Sequence, residues 1–180
     1  VLHCPVDVER FTVGAGEGDY FIVISRLLPY KRIELAIAAC ALANVPLYVV
    51  GEGPARHALS QLARGTTTSM LGFVPDRQLN YLLGNAVAAI LPGEEDFGLV
   101  PLEAAAAGRP TIAFRRGGAL ETIVQDQTGV FFDAPLAESL AQAIRRFEPK
   151  RFEPHALRRH AESFAPGRFK ERLREIVDCV

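Results

Sequence analysis

The sequence predicts an α/β protein built on a doubly wound parallel sheet of roughly six strands. Short apolar runs alternate with longer helical patterns along the chain of 180 residues, beginning with a buried strand at Tyr20–Ser25. Glycines and charged residues directly follow several of these strands, as in Gly51-Glu52-Gly53 and Arg115-Arg116-Gly117-Gly118. Alternating strands and helices imply right-handed crossovers between parallel strands, and such sheets bind ligands at the carboxyl ends of the strands.

Periodicity and the punctuation by glycine and proline place the remaining elements. Further strands are predicted at Leu47–Val50, Ser69–Leu71, Val87–Leu91, Thr111–Phe114 and Val130–Phe132. Helices are predicted at Lys31–Ala43, Arg56–Ala63, Asp76–Leu83, Leu99–Ala107, Ala119–Val124, Leu136–Arg146, and around His155–Ser163 and Gly167–Val177. Pro75 marks a helix entry and Gly108 a helix end, because proline suits the first turn and glycine the left-handed cap.

Composition excludes several classes of protein. Apolar residues make up 49% and charged residues 23% of the chain, which is typical of a globular α/β domain. The net charge of −1 argues against a nucleic-acid partner, and no run approaches the roughly 20 apolar residues that span a bilayer. The cysteines form no Cys-x-x-Cys pair and the histidines have no ligand spacing, so a structural zinc site is not expected.

The amino-terminal region is expected to come from inside a longer protein. The chain begins Val-Leu-His-Cys-Pro without an initiator methionine, which is typical of sequence from inside a longer protein. The glycine-rich stretch Val13–Asp19 indicates a linker before the first strand. Residues 19–150 are therefore predicted to form one domain after this linker, and 151–180 a pair of additional helices.

Two glutamates separated by seven residues form the most informative pattern. Glu95 lies in the loop after the fourth predicted strand, and Glu103 falls on the second turn of the next helix. The main-chain N–H groups of Phe97, Gly98 and Leu99 lie at the start of that helix, where free amides and the helix dipole attract anions. Ionised carboxylates accept hydrogen bonds only, which suits the recognition of hydroxyl groups. The plain alternative is a solvated loop with a surface glutamate.

Two cations follow the first predicted strand. Arg26 comes directly after Ser25, and Lys31 opens the predicted helix, where a positive charge is unfavourable for the dipole. An arginine fork and a lysine point charge at the carboxyl edge of a sheet suit a diphosphate. Ordinary surface charge remains the alternative when the pair is considered alone.

In their order along the chain, these motifs resemble the carboxyl-terminal donor domain of retaining GT-B glycosyltransferases of the family 4 type. The matching stretches run from about Val6 to the carboxyl terminus, nearly the whole chain. They are Cys4–Phe11, Ser25-Arg26-Leu27 with Lys31-Arg32, Val50–Pro54, Leu71–Pro75, the Glu-x7-Glu motif of Glu95 and Glu103, Ala113–Glu121 and Gly129–Phe131. The resemblance implies that residues 1–18 are an interdomain segment and linker. It implies that residues 19–150 are a nucleotide-sugar-binding, Rossmann-like domain, which forms the carboxyl-terminal half of a GT-B fold. It also implies that the last helices pack back toward a missing acceptor-binding domain.

The resemblance assigns a role to each candidate residue. Arg26 and Lys31, next to Ser25, would bind the diphosphate and stabilise the charge of the leaving group. Glu95 would hold hydroxyls of the donor sugar, with help from the main chain of residues 97–99. Glu103 would hold the ribose, and the main chain of Phe73 and Val74 would contact the base.

The resemblance also implies partners and a location. The sequences of residues 92–98 and 117–122 look most like those of bacterial or archaeal mannosyltransferases that build surface polysaccharides. GDP-mannose is therefore the expected donor, and a UDP-sugar is the alternative. No permanently bound cofactor, no metal and no nucleic acid are expected. The implied location is the cytoplasm or the inner face of the cytoplasmic membrane, with any membrane contact through the missing half. Transfer by the isolated domain is not expected.

Three other functions stay open at this point. A degenerate homologue could bind a nucleotide sugar without catalysis, although Arg26, Lys31, Glu95 and Glu103 are all intact. A GT-B relative could instead epimerise a sugar nucleotide. A nicotinamide-dependent oxidoreductase shares the fold class, but Gly14-x-Gly16 precedes its strand, so the dinucleotide fingerprint is absent.

Overall fold

The computed structural model describes residues 2–178 and contains a six-stranded sheet whose paired strands are all parallel. The strands are β1 (Phe21–Ile24), β2 (Leu47–Val50), β3 (Thr68–Gly72), β4 (Ala88–Leu91), β5 (Thr111–Phe114) and β6 (Gly129–Phe132). Their spatial order is β3-β2-β1-β4-β5-β6. The direction of winding therefore reverses between β1 and β4, and this switch point is where doubly wound sheets open a ligand crevice.

Eight helices connect and flank the strands in the described residues. They are α1 (Ile33–Ala43), α2 (Arg56–Ala63), α3 (Asp76–Asn85), α4 (Leu99–Ala106), α5 (Ala119–Thr122), α6 (Ala137–Arg146), α7 (Pro154–Glu162) and α8 (Pro166–Asp178). Every strand and helix predicted from the sequence is present, and its ends differ by at most two residues. The predicted doubly wound α/β class is confirmed.

The start of α1 differs from the prediction for a physical reason. Residues Pro29–Lys31 form a turn of 3₁₀-helix, and Arg32 adopts a left-handed conformation with φ of 54° before α1 begins at Ile33. A non-glycine residue in that conformation costs roughly 1–2 kcal/mol, so surrounding contacts must hold it. Periodicity cannot distinguish such a turn from the first turn of a helix, and the prediction of a helix from Lys31 was wrong by two residues.

Alternation along the strands divides the core between the two faces of the sheet. Ile22 of β1 packs in one cluster with Leu83 of α3 and Leu102 of α4. Val23 packs in the other cluster with Ile37 of α1 and Leu140 of α6. Successive side chains of a strand point to opposite faces, so a strand covered by helices on both sides is apolar throughout.

The amino-terminal segment packs on the domain and α8 lies outside the core. Val6, Val8 and Phe11 are buried in the cluster that contains α4, and Leu157 of α7 is fully buried there too. The described part of α8 buries none of its residues. No helix within residues 2–178 has the length and apolar character needed to cross a membrane.

The buried and exposed leucines of the last two helices give a matched test of this packing. Leu157→Ala removes a fully buried side chain, so we expect the free energy of unfolding to fall by about 2–5 kcal/mol. Leu173→Ala changes a side chain of α8 that is 40% exposed, and we expect a loss below about 0.5 kcal/mol. Urea unfolding followed by circular dichroism measures both, and equal losses would contradict the description of α8.

Candidate functional site

The sequence-predicted residues lie in loops at the carboxyl ends of neighbouring strands. Ser25 and Arg26 follow β1, Phe73 and Val74 follow β3, and the loop containing Glu95 follows β4. Because β1 and β4 are neighbours at the switch point, the cation-bearing loop and the glutamate-bearing loop lie side by side where doubly wound sheets bind ligands. Lys31 and Glu95 are 64 positions apart in the sequence, and the topology of the sheet brings them into contact.

Hydrogen bonds to the next loop fix the segment after β1. Ser25 N–H donates to Val50 O at 3.0 Å, and Leu27 N–H donates to Glu52 O at 2.9 Å. The Ser25 hydroxyl donates to Arg26 O at 2.9 Å. Leu27 is fully buried whereas Arg26 is exposed, so the main chain is anchored while the guanidinium is free to reach a ligand.

An ion pair joins the two loops across the switch point. Lys31 Nζ donates to Glu95 Oε2, and both side chains keep only 15% and 17% of their surface exposed. Lys31 Nζ also lies 4.8 Å from the centre of the Tyr30 ring, a favourable position for a cation. Removing one member of such a shielded pair leaves the other without a counter-charge, which is strongly unfavourable. The pair therefore fixes the separation of the loops.

Glycine gives the Glu95 loop its turn into α4. Gly98 precedes α4 with φ of 78°, which an L side chain rarely adopts, and no side chain caps the helix. A Cβ at this position would meet its nearest neighbours at 3.6–3.8 Å, which are ordinary contacts, so conformation and not space requires glycine here. The start of α4 therefore lacks a side-chain cap, and uncapped amides at a helix amino terminus can bind an anion.

A second loop supports the Glu95 loop from behind. Gly118 N–H donates to Glu95 O at 2.8 Å. A Cβ on Gly118 would lie 2.2 Å from main-chain atoms of Phe97, so only glycine permits this contact. The loop after β5 thus holds the main chain of Glu95 and Phe97, a support that spacing in the sequence did not predict.

Glu103 is a half-buried carboxylate without an ion-pair partner among residues 2–178. Burial raises its pKa above the ordinary value, the charge of Arg10 lowers it, and the charge of Asp76 raises it again. Keeping this carboxylate ionised at neutral pH is unfavourable for folding, and a bound hydroxyl donor would offset part of that cost. Such a position is typical of a binding residue.

The loop after β3 is held by hydrogen bonds to the Glu52 carboxylate. Phe73 N–H donates to Glu52 Oε1 at 3.2 Å, and Arg56 donates to the same oxygen, which lowers the pKa of Glu52. The Phe73 side chain is 77% exposed, whereas Val74 is buried. Because Glu52 occupies the Phe73 N–H, a base at this loop is left with the other main-chain groups and the exposed ring.

Sequence reasoning missed one polar contact beside the site. His3 Nε2 lies 2.9 Å from Glu121 Oε2, and the His3 ring stacks on Phe97 with 5.6 Å between centres. No periodic or motif signal links residues 118 positions apart, so this contact could come only from the structure. No group of three or more His, Cys, Asp or Glu residues within 2–178 is placed to hold a metal ion.

Comparison with known families identifies the chain. The family model of the glycosyl transferases group 1 matches residues 7–164. The chain belongs to the group 1 glycosyltransferases. It is 36% identical over 139 residues to the GDP-mannose-dependent alpha-(1-6)-phosphatidylinositol dimannoside mannosyltransferase of Mycobacterium tuberculosis, covering 74% of this chain and 36% of that protein. It is 34% identical over 151 residues to the glycogen synthase of the same species, covering 78% and 36%.

Solved structures confirm that this glycosyltransferase chain has a GT-B type Rossmann-like fold. Sucrose-phosphate synthase from Thermosynechococcus elongatus superposes with a TM-score of 0.85 at 23% identity, over 98% of this chain and 51% of that chain. Anabaena HepE in complex with UDP superposes with a TM-score of 0.80 at 19% identity, over 98% and 56%. The chain thus spans about half of these structures and about a third of its curated relatives.

The raised pKa of Glu103 predicts a pH-dependent effect of its neutral replacement. The folded state of the wild type binds the Glu103 proton more tightly than the unfolded state, so stability falls as pH rises through the raised pKa. Glu103→Gln removes this penalty and should raise the midpoint of thermal unfolding at pH 7. The gain should shrink as pH falls and wild-type Glu103 becomes protonated. Scanning calorimetry at several pH values measures it, and a destabilised variant at pH 7 would contradict an ionised, unpaired carboxylate.

Proposed function

We propose that this group 1 glycosyltransferase chain is a donor domain that binds a nucleoside-diphosphate sugar in the crevice between the β1 and β4 loops. The observation that supports the proposal most is the convergence of a shielded cation, a carboxylate and a helix amino terminus at the switch point. Cations suit the diphosphate, and carboxylates and free amides suit the hydroxyls of ribose and hexose.

The diphosphate is assigned to Arg26 and Lys31. Lysine has three N–H donors, so Lys31 can keep one on Glu95 and direct another toward a phosphate. Arg26 is exposed beside the same crevice and can offer a forked pair of donors. Both charges would stabilise the nucleoside diphosphate as it leaves, which is electrostatic stabilisation by groups already in place. The amides of residues 97–99 are assigned, with Glu95, to the donor sugar.

The sugars are assigned to the two glutamates. Glu95 uses one oxygen for Lys31 and retains the other for hydroxyls of the donor sugar. Glu103, one turn into α4, is assigned to the ribose hydroxyls. The exposed loop of Phe73 and Val74 is assigned to the base, through its remaining main-chain groups.

The reaction is proposed to retain the anomeric configuration without a protein nucleophile. In the front-face mechanism of similar enzymes, the leaving phosphate assists deprotonation of the acceptor while the new bond forms on the same face. Arg26 and Lys31 support that step because they stabilise the negative charge on the departing oxygen. Glu95 would orient the sugar, which differs from the covalent role of a carboxylate in retaining glycosidases. No metal is required in this proposal.

GDP-mannose is the proposed donor and a UDP-sugar is the second candidate. The 36% identical relative is named as GDP-mannose-dependent, which supports mannose. Anabaena HepE, a structural relative at 19% identity in its UDP complex, is also described in complex with UDP-glucose, which keeps the second candidate open. The two candidate donors differ in their base, so the loop of Phe73 and Val74, which is assigned to the base, should determine which of them binds.

The acceptor is proposed to be a polysaccharide or a lipid-linked sugar held by a further, amino-terminal domain. The chain covers about half of its structural relatives, and Leu173, Ile176 and Val177 of α8 stay exposed. We therefore expect donor binding but no transfer by residues 1–180 alone, in the cytoplasm or at the inner face of the cytoplasmic membrane. Any membrane contact is assigned to the further domain. Radiolabelled transfer to a lipid-linked acceptor by the isolated chain would contradict this division of labour.

Calorimetric titration with GDP, GDP-mannose, UDP and UDP-glucose tests the proposed donor site. We expect the guanine nucleotides to bind and the uridine nucleotides to bind more weakly. Glu103→Ala should weaken binding roughly 10- to 100-fold, because a hydrogen bond to a charged group contributes about 1.5–3 kcal/mol. A preference for uridine would discard mannose and keep the donor site. Equal affinities of the variant and the wild type would contradict the role of Glu103.

A matched pair of arginines controls for the loss of positive charge. Arg26→Ala should weaken nucleotide binding by about tenfold or more, since it removes a forked donor from the crevice. Arg64→Ala removes the same charge from an exposed residue after α2, at the opposite edge of the sheet, and should change affinity less than about twofold. Equal effects of the two substitutions would mean that Arg26 acts only through net charge.

A further inference from the structure

A cluster of aromatic, histidine and glutamate side chains includes Phe97 of the proposed donor loop, and its other members lie outside the donor residues. We call it the His3 cluster and define it as His3, Phe97, Glu121, His160 and Phe164. His3 stacks on Phe97 with 5.6 Å between ring centres and an interplanar angle of 21°. It also lies 5.6 Å from Phe164 and 2.9 Å from the Glu121 carboxylate. One side chain thus contacts three separate parts of the chain.

The cluster joins the amino-terminal segment to the junction of α7 and α8. Val6 N–H donates to Phe164 O at 2.9 Å, which anchors the segment beside His3. His160 packs edge-on against Phe164 at 5.4 Å, and its ring nitrogen lies 2.9 Å from Thr122 O. The segment, the α7–α8 junction and α5 therefore form one connected body next to Phe97.

The same cluster reaches the proposed donor loop from two directions. His3 contacts the loop directly through Phe97, which stands two residues after Glu95. Glu121 lies on α5, and Gly118 at the start of that helix donates to Glu95 O and packs on Phe97. The hydroxyl of the buried α5 residue Thr122 donates to Gly118 O at 3.0 Å, which stiffens this support.

We propose that His3 is a positioning residue for the donor sugar: by stacking on Phe97 and binding Glu121, it holds the loop of residues 95–98 in its sugar-accepting shape. The inference rests on the proposed function, because it assumes that Glu95 and the following amides meet the hexose. His3 does not touch the donor. It acts through Phe97 and Gly118, and it makes the shape of the loop depend on where the amino-terminal segment lies.

The partial exposure of the contact separates this role from general stability. The side chains of His3 and Glu121 keep 35% and 48% of their surface exposed, and exposed pairs contribute little to global folding. Loss of the contact should therefore loosen the loop locally and leave the core intact. Local opening of this kind is visible by hydrogen exchange.

Hydrogen–deuterium exchange of the ligand-free chain tests whether the contacts of His3 with Phe97 and Glu121 order the loop. In His3→Ala, amide exchange in peptides covering residues 94–98 and 117–122 should be about tenfold faster than in the wild type, while β1 exchanges unchanged. His155→Ala, which removes an exposed histidine of α7, is the matched control and should leave both peptides unchanged. Unchanged exchange at 94–98 in His3→Ala would overturn the proposal, whatever the chain binds.

Affinities for nucleotides test whether the contacts of His3 contribute to binding of the donor sugar. His3→Ala should weaken the nucleotide sugar about tenfold more than the matching nucleoside diphosphate, because only the former uses the Glu95 loop for its hexose. Glu121→Ala should behave alike, and Glu121→Gln should recover most of the affinity because its amide oxygen still accepts from His3. Equal weakening of both ligands would overturn the positioning role. A wild type that binds no nucleotide would refute the proposed function, and exchange alone would then decide whether His3 orders the loop.

Discussion

The ion pair between Lys31 and Glu95 is the contact on which the arrangement of the site depends. The two residues come from loops that leave β1 and β4, the strands between which the sheet reverses its winding. A parallel sheet places these loops side by side but does not fix their separation. A shielded pair of opposite charges does, because each charge loses water and is compensated chiefly by the other. A cation and a carboxylate are thereby fixed at the mouth of the crevice.

Several residues of the site are unfavourable for folding and are best explained by binding. Glu103 is half-buried without a counter-charge among the residues that the structure describes, and its raised pKa reports the cost of that position. Arg32, a non-glycine residue, holds a left-handed conformation at the entry of α1, where an ordinary helix start would be easier. Natural sequences break local rules of this kind mostly where function requires it.

Local patterns predicted the fold well and the site only in part. The six strands and their helices follow from periodicity, and the Glu-x7-Glu motif located both Glu95 and Glu103, because each of these signals lies within a short window of sequence. The contacts that shape the site join residues that are far apart in the sequence. Lys31 contacts Glu95 although 64 positions separate them, and His3 contacts Glu121 although 118 positions do. No periodicity or motif in the sequence indicates contacts over such separations. Packing of separate loops at the carboxyl edge creates both contacts.

The most direct test of a donor site at the switch point is amide chemical-shift mapping of the ¹⁵N-labelled chain during titration with GDP. We predict that the largest shifts fall on residues 25–31 and 95–103, with smaller shifts at 72–74. The groove beside the edge strand β6, which Asp133 and Arg146 line, is separated from β4 by β5 and should be unaffected. Shifts concentrated at that groove, or spread evenly over the surface, would contradict the assignment of the β1–β4 crevice as the nucleotide site.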